Sequence, residues 1–304
     1  MAGAAQAWRG KWRRRGPRLT GGSMHPGSKA NPQVAGFRLL HRIGQGGHGT
    51  VYRAEDAAGL PLALKLVALP SGSAAAAARE AFLHGAQTAQ RLVHPGIVAL
   101  RAFGIEGARG WLAMELVPGT DLEPHTRPGH LLPERQVLGI AQRISQALDY
   151  AHGQGVVHRD LKPANVLLDV PGNAVKLADF GLARSADALQ TATGIVPGSP
   201  GYMAPEQLAG GVPTPQSDLY AMGVMLFQLL AGRLPYETTS MGELLRQVAY
   251  DPAPDLRLLR PTVGPGVAQL VGCLLAKRAS ERPADARILA IALHQAAAGL
   301  PIAT

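Results

Sequence analysis

The sequence holds a single cysteine, Cys273, so no disulfide can form within the chain. That thiol lies in the apolar run Leu270-Val271-Gly272-Cys273-Leu274-Leu275 and reads as a buried group rather than a reactive one. No apolar stretch approaches the roughly 20 residues of a membrane-spanning helix. The positive N-terminus is followed by no apolar core of the kind a signal peptide carries. These absences point to a cytoplasmic location. Acidic residues are missing before Glu55, whereas residues 1–36 carry Arg9, Lys11, Arg13, Arg14, Arg15, Arg18 and Lys29. Of the formal net charge of +9, those seven cations leave about +2 (9 − 7) for the rest, so the basic balance describes the leader. Such a Gly- and Pro-rich basic segment without periodicity is expected to be disordered. Its charge would suit an anionic membrane surface or nucleic acid.

What is present suits one large domain or two small ones: 304 residues, 46% hydrophobic and only 17% charged. From Phe37 onward short β-type runs alternate with turns, at Phe37–Ile43, Val51–Ala54 and Leu62–Leu69. An Ala-rich stretch from Ser73 to Leu92 reads as a helix closed by His94-Pro95. Strand-like runs come next at Ile97–Phe103 and Trp111–Val117, and Pro118-Gly119 punctuates the chain. Beyond that point the pattern is helical. Pro133–Gln154 places Val137, Ile140, Ala141, Ile144 and Leu148 at 3–4 spacing, and Leu219–Leu230, Gly242–Val248 and Val267–Leu275 are similar. Strands before helices imply an α+β architecture with a small antiparallel-sheet lobe and a larger helical lobe.

Three motifs carry chemistry. Gly44-Gln45-Gly46-Gly47-His48-Gly49-Thr50-Val51 comes directly after a strand, and its glycines let backbone N–H groups approach a polyphosphate. A lone G-x-G-x-x-G is shared with dinucleotide-binding folds, but Thr50-Val51-Tyr52 predicts a second strand here, where a Rossmann loop would open a helix. Lys65 lies on the next strand, placed to reach back to those phosphates. Then come His158-Arg159-Asp160-Leu161-Lys162-Pro163-Ala164-Asn165 and Asp179-Phe180-Gly181. Phosphoryl transfer needs positioned charge more than covalent chemistry: a carboxylate for the hydroxyl proton, a cation near the γ-phosphate, and oxygen ligands for a metal. Asp160, Lys162, Asn165 and Asp179 are those groups.

On these motifs the chain resembles the eukaryotic-type serine/threonine protein kinases, bacterial branch, over roughly residues 37–297. The resemblance implies a bilobal protein kinase-like fold. The expected layout is a tail at 1–36, a kinase domain at 37–297 (N-lobe 37–117, C-lobe 118–297) and a C-terminal tail at 298–304. Gly44, Gly46 and Gly49 would cover ATP and Lys65 would bind its α/β-phosphates, with Val51, Ala63 and Leu167 around the adenine. Met114 would be the gatekeeper and Glu115-Leu116-Val117 the hinge. Asp160 would be the catalytic base, Lys162 the γ-phosphate contact, and Asn165 and Asp179 the ligands of Mg²⁺ or Mn²⁺. Lys162, two residues after the Asp, is the serine/threonine form of the loop. Arg159 would bind phosphate on an activation-loop residue, with Thr191 and Thr193 as autophosphorylation sites. Ser199, Glu206 of Ala204-Pro205-Glu206, Asp218 and Arg282 would be structural, Arg282 pairing with Glu206. The partners implied are protein substrates with Ser/Thr acceptors, with a homodimer as a further expectation.

The chain departs from the family at one place. The helix glutamate that should pair with Lys65 belongs nine residues before His94, and Gly85 stands there. Glu80, the one acid between Asp56 and Glu106, lies five residues away, about 140° around a helix. Three outcomes are open: a displaced helix that brings Glu80 to Lys65, a Lys65 bonded elsewhere such as to Asp179, or a weak or dead enzyme. The last would make the chain a pseudokinase or scaffold that binds nucleotide without efficient transfer. A small-molecule kinase of the aminoglycoside type fits poorly with the long segment ending in Ala-Pro-Glu, and nucleic-acid binding rests on the leader alone.

Overall fold

The computed structural model describes residues 32–46, 49–169, 174–180 and 199–299. The basic leader up to position 31, His48, Gly181, the threonines Thr191 and Thr193, and residues 300–304 lie outside them.

The chain opens with a tight hairpin. Gln33–Val34 (β1) pairs with Phe37-Arg38 across Ala35-Gly36, both at positive φ (50° and 83°), so the sheet begins ahead of Phe37. Phe37–Gly46 (β2), Gly49–Glu55 (β3), Pro61–Ala68 (β4), Leu100–Glu106 (β5) and Arg109–Met114 (β6) complete a six-stranded sheet of order β1-β2-β3-β4-β6-β5, antiparallel at every pairing. Strand alternation sorts β4 into two faces. Leu62 and Leu64 pack with Leu39, Ala54 and Ala113 on one side; Ala63 packs with Leu112, Met114 and Val67 on the other.

The second face is covered by the helix Ala75–Gln90 (α1), whose buried residues Ala78, Phe82, Gly85 and Ala86 form one stripe. Its closest approach depends on Gly110 of β6. A Cβ there would sit 2.5 Å from the Phe82 ring, so only a bare backbone lets the helix dock. The strand expected at Ile97–Phe103 is displaced. Ile97 bridges to Leu177 instead, with Val98 N donating to Leu177 O (2.8 Å) and Leu177 N to Gly96 O (2.8 Å), and the strand proper starts at Leu100. That segment ties the six-stranded sheet to a small second one, in which Thr120–Asp121 (β7), Val166–Asp169 (β8) and Ala174–Leu177 (β9) run antiparallel.

The larger lobe is built on Glu134–Gly153 (α2) and Pro215–Ala231 (α4), with Pro205–Leu208 (α3), Met241–Tyr250 (α5), Leu256–Leu259 (α6), Pro265–Leu274 (α7) and Ala286–Ala297 (α8) around them. Every residue of α4 from Ser217 to Phe227 is buried, as expected of a helix with no polar face at the centre of a core. Cys273 is half-buried, against the buried position expected: α7 turns Val267, Leu270, Val271 and Leu274 inward and leaves the thiol at the edge of that stripe.

Candidate active site

The glycine-rich segment runs between two antiparallel strands, β2 and β3, with Gly44 opposite Val51 and Gly46 opposite Gly49. Gly49 has φ of +125°, and a Cβ on it would lie 2.2 Å from the carbonyl oxygen of Leu66 on β4. A side chain there is excluded by both backbone conformation and space. Val51 pairs with Lys65, which puts the lysine on the strand next to the glycine-rich segment, two residues beyond the level of Gly49.

Lys65 shares the α1-facing side of β4 with Ala63 and is 4% exposed. A buried ammonium requires a counter-charge, and its partner is Asp179: Nζ to Oδ2 is 2.6 Å. Glu80 is exposed while Gly85 is buried, and α1 is continuous through both. The helix has therefore not shifted to bring Glu80 inward, and of the open outcomes the structure takes the pairing with Asp179.

The catalytic-loop segment is braced from below. Asp218, in the first turn of α4 and 1% exposed, accepts the N–H groups of His158 (2.8 Å) and Arg159 (2.9 Å) and contacts Nε2 of His152 (2.8 Å). Two successive N–H groups converge on one carboxylate because Arg159 is left-handed, at φ +74°. That conformation costs about 1–2 kcal/mol for a residue with a side chain and is held by the carboxylate. His158 in turn contacts the carbonyl of Ala178 through Nε2 (3.0 Å) and packs on the ring of Phe180. The Ala178 N–H donates to Asn165 O (2.9 Å). Ala178 is thus gripped at both ends, which fixes the next residue, Asp179, itself left-handed at φ +66°, beside Asn165.

Around Asp160 the groups close up. Its Oδ2 lies 2.7 Å from Lys162 Nζ, which also donates to Ser199 Oγ at 2.9 Å. The side-chain amide of Asn165 donates to Asp160 O (2.7 Å) and Oδ2 (3.1 Å). With both N–H bonds so directed, the oxygen of that amide is what Asn165 has to offer a cation. Tyr202 lies nearby; burial first, then the charges of Glu123 and Asp160, raise its pKa, so the phenol stays neutral.

On the side expected to face adenine, Met114 ends β6 opposite Ala63 and is buried; Val51 is half-buried against the same cluster, and Leu167 lies on β8. Glu115 is anchored through both its backbone and its side chain. Its N–H donates to Ala99 O (2.9 Å), and its carboxylate receives Lys176 Nζ of β9 at 3.0 Å. Val117, two residues on, is half-buried. Sequence reasoning missed Lys176 and His152. Neither sits in a motif, and each matters only through a partner more than 60 residues away.

Farther out, Arg282, its side chain fully buried, makes a two-pronged pair with Glu206 (2.7 and 2.9 Å), and Ser217 Oγ donates to the same carboxylate (2.9 Å). Burial opposes ionisation of Glu206, yet the Arg282, backbone and Ser217 hydrogen bonds outweigh it and hold the carboxyl below its ordinary 4.5. The unfolded chain therefore takes up this proton first as pH falls. The stabilisation is complete above about pH 4.5 and is lost as pH drops through the folded value. Urea melts between pH 6 and 3 should show this loss, and Glu206→Gln should flatten it.

A protein kinase domain model matches residues 37–294. The chain is 40% identical over 265 residues (84% of the chain, 38% of the relative) to the DNA damage-responsive serine/threonine-protein kinase RqkA of Deinococcus radiodurans. It is 39% identical over 277 residues (88% and 41%) to the serine/threonine-protein kinase PknD of Mycobacterium tuberculosis. It spans about two fifths of the length of these curated relatives. Among solved structures it is similar to the Mycobacterium tuberculosis PknI kinase domain, with a TM-score of 0.72, 29% identity, and coverage of 90% of this chain and 100% of that one. A family model covering most of the chain, over a site of this geometry, settles the assignment: the chain belongs to the protein kinase family, on the bacterial branch of the eukaryotic-type serine/threonine kinases.

Proposed function

We propose that the chain transfers the γ-phosphoryl group of ATP to serine and threonine hydroxyls of protein substrates. The observation that carries this reading is the pairing of Asp179 with Lys65, on the strand next to the glycine-rich segment, while Ala178, the residue before Asp179, is bonded to Asn165 of the Asp160–Lys162–Asn165 group. In this reading Lys65 holds the α/β-phosphates, and Asp160 receives the proton of the attacking hydroxyl. The hydroxyl oxygen bonds to the γ-phosphorus as the bond to the β–γ bridging oxygen breaks, and ADP departs. Lys162 offsets the charge on the moving group. The amide oxygen of Asn165 and the carboxylate of Asp179 are hard oxygen donors that would suit Mg²⁺ or Mn²⁺. Bound there, the ion neutralises phosphate charge. Val51, Ala63, Met114, Glu115, Val117 and Leu167 line the adenine side.

Arg159 and the threonines Thr191 and Thr193 supply control by activation-loop phosphorylation in this reading. A cytoplasmic location, a homodimer and contact of the basic leader with anionic membrane or nucleic acid belong to the same proposal. The pseudokinase reading has Gly85 in its favour, but the intact base, cation and metal-donor set supports transfer. The test is incubation with γ-labelled ATP, Mg²⁺ and an acceptor protein, then phosphoamino-acid analysis. Phosphoserine and phosphothreonine that vanish on chelation are expected. Label on neither residue would overturn the proposal.

A further inference from the structure

The side chain that neutralises Lys65 is also the carboxylate next to Asn165. Lys65 lies on the sheet face that α1 covers, and position 85 lies on the buried stripe of α1 between Phe82 and Ala86, over that same face. Gly85 contributes no side chain there, and Glu80 points to solvent. The ammonium, 5% exposed, therefore takes Asp179 Oδ2 at 2.6 Å. Asp179 is held beside Asn165 by the two bonds that grip Ala178. One carboxylate consequently faces two cationic claimants.

We propose that Lys65 and the divalent cation compete for Asp179, and that the glycine at position 85 creates this competition. The inference rests on the phosphoryl-transfer reading of the same site. In the nucleotide-free chain, a divalent ion approaching Asp179 must strip a buried ammonium of its counter-charge, which is strongly unfavourable. Phosphates arriving with the nucleotide give Lys65 a replacement partner, so nucleotide and cation enter together. A carboxylate at position 85 would hold Lys65 permanently and release Asp179 for the ion.

The experiment titrates Mn²⁺ into the nucleotide-free chain and monitors free Mn²⁺ by electron paramagnetic resonance, a readout independent of turnover. Gly85→Glu is expected to tighten Mn²⁺ binding by about fivefold or more. Gly85→Gln, which gains the same helix propensity without the charge, should change it by less than about twofold. Lys65→Met removes the competitor outright and should tighten Mn²⁺ in the same direction, which keeps the inference testable if the glutamate variant does not fold. Unchanged Mn²⁺ affinity in folded Gly85→Glu, an equal gain in Gly85→Gln, or no gain in Lys65→Met would each overturn it. Binding of a fluorescent ATP analogue to the wild type separates the two levels. Failure to bind defeats the proposed function, whereas binding with no Mn²⁺ response in the variants defeats only the competition.

Discussion

Asp160→Asn is expected to lower phosphoryl transfer by roughly 10²- to 10⁴-fold, the usual contribution of a positioned proton acceptor. The substitution keeps the shape of the side chain and removes its charge. Asp160 lies 2.7 Å from Lys162 and receives the side-chain amide of Asn165, so in the proposed reading its carboxylate both accepts the hydroxyl proton and orders its neighbours. In the same reading nucleotide binding depends on Lys65 and the glycine-rich segment, and it should persist in the variant within about threefold. Initial rates of label transfer beside analogue binding check both halves. Equal transfer by wild type and variant would mean that another group takes the proton.

Arg282→Leu should destabilise the chain by about 3–5 kcal/mol, the loss expected when one partner of a buried ion pair is removed. The guanidinium donates to Glu206 through two nitrogens and also to the carbonyls of Ala276 (3.0 Å), Gln216 (2.9 Å) and Lys277 (3.2 Å), and it lies 5.0 Å from the Tyr220 ring centroid. Leucine fills part of the volume and satisfies none of these acceptors. Because Glu206 anchors the end of the segment that begins near Asp179, lost activity should accompany lost stability. Equilibrium denaturation gives the first figure, and a fall below about 1 kcal/mol would contradict the role assigned to the pair.

The strands and helices were largely legible because their signals are local. β4 is a short, largely apolar run bounded by turn residues and buried on both faces, α2 repeats its apolar residues at helical spacing, and Gly49 holds a position that only glycine fits. The displaced β5 was not legible. Ile97 and Val98 are as β-prone as Leu100 and Phe103, but a partner 80 residues away, Leu177, claims Ile97. Cys273 was misplaced for a related reason: an apolar run does not say which of its residues falls at the edge of the buried stripe.

The chemical inventory was readable from residue order alone. Asp160, Lys162, Asn165 and Asp179 are compressed into two short motifs, where spacing carries meaning, and Gly85 could be found missing its carboxylate by counting back from His94. Which group then satisfies Lys65 was settled only when the chain folded. Glu80, Asp179 and solvent were equally available to an unfolded chain. Once β4 carries Lys65 to a buried face beneath α1, and β9 delivers Asp179 to its edge, the cost of burying an unpaired ammonium selects Asp179.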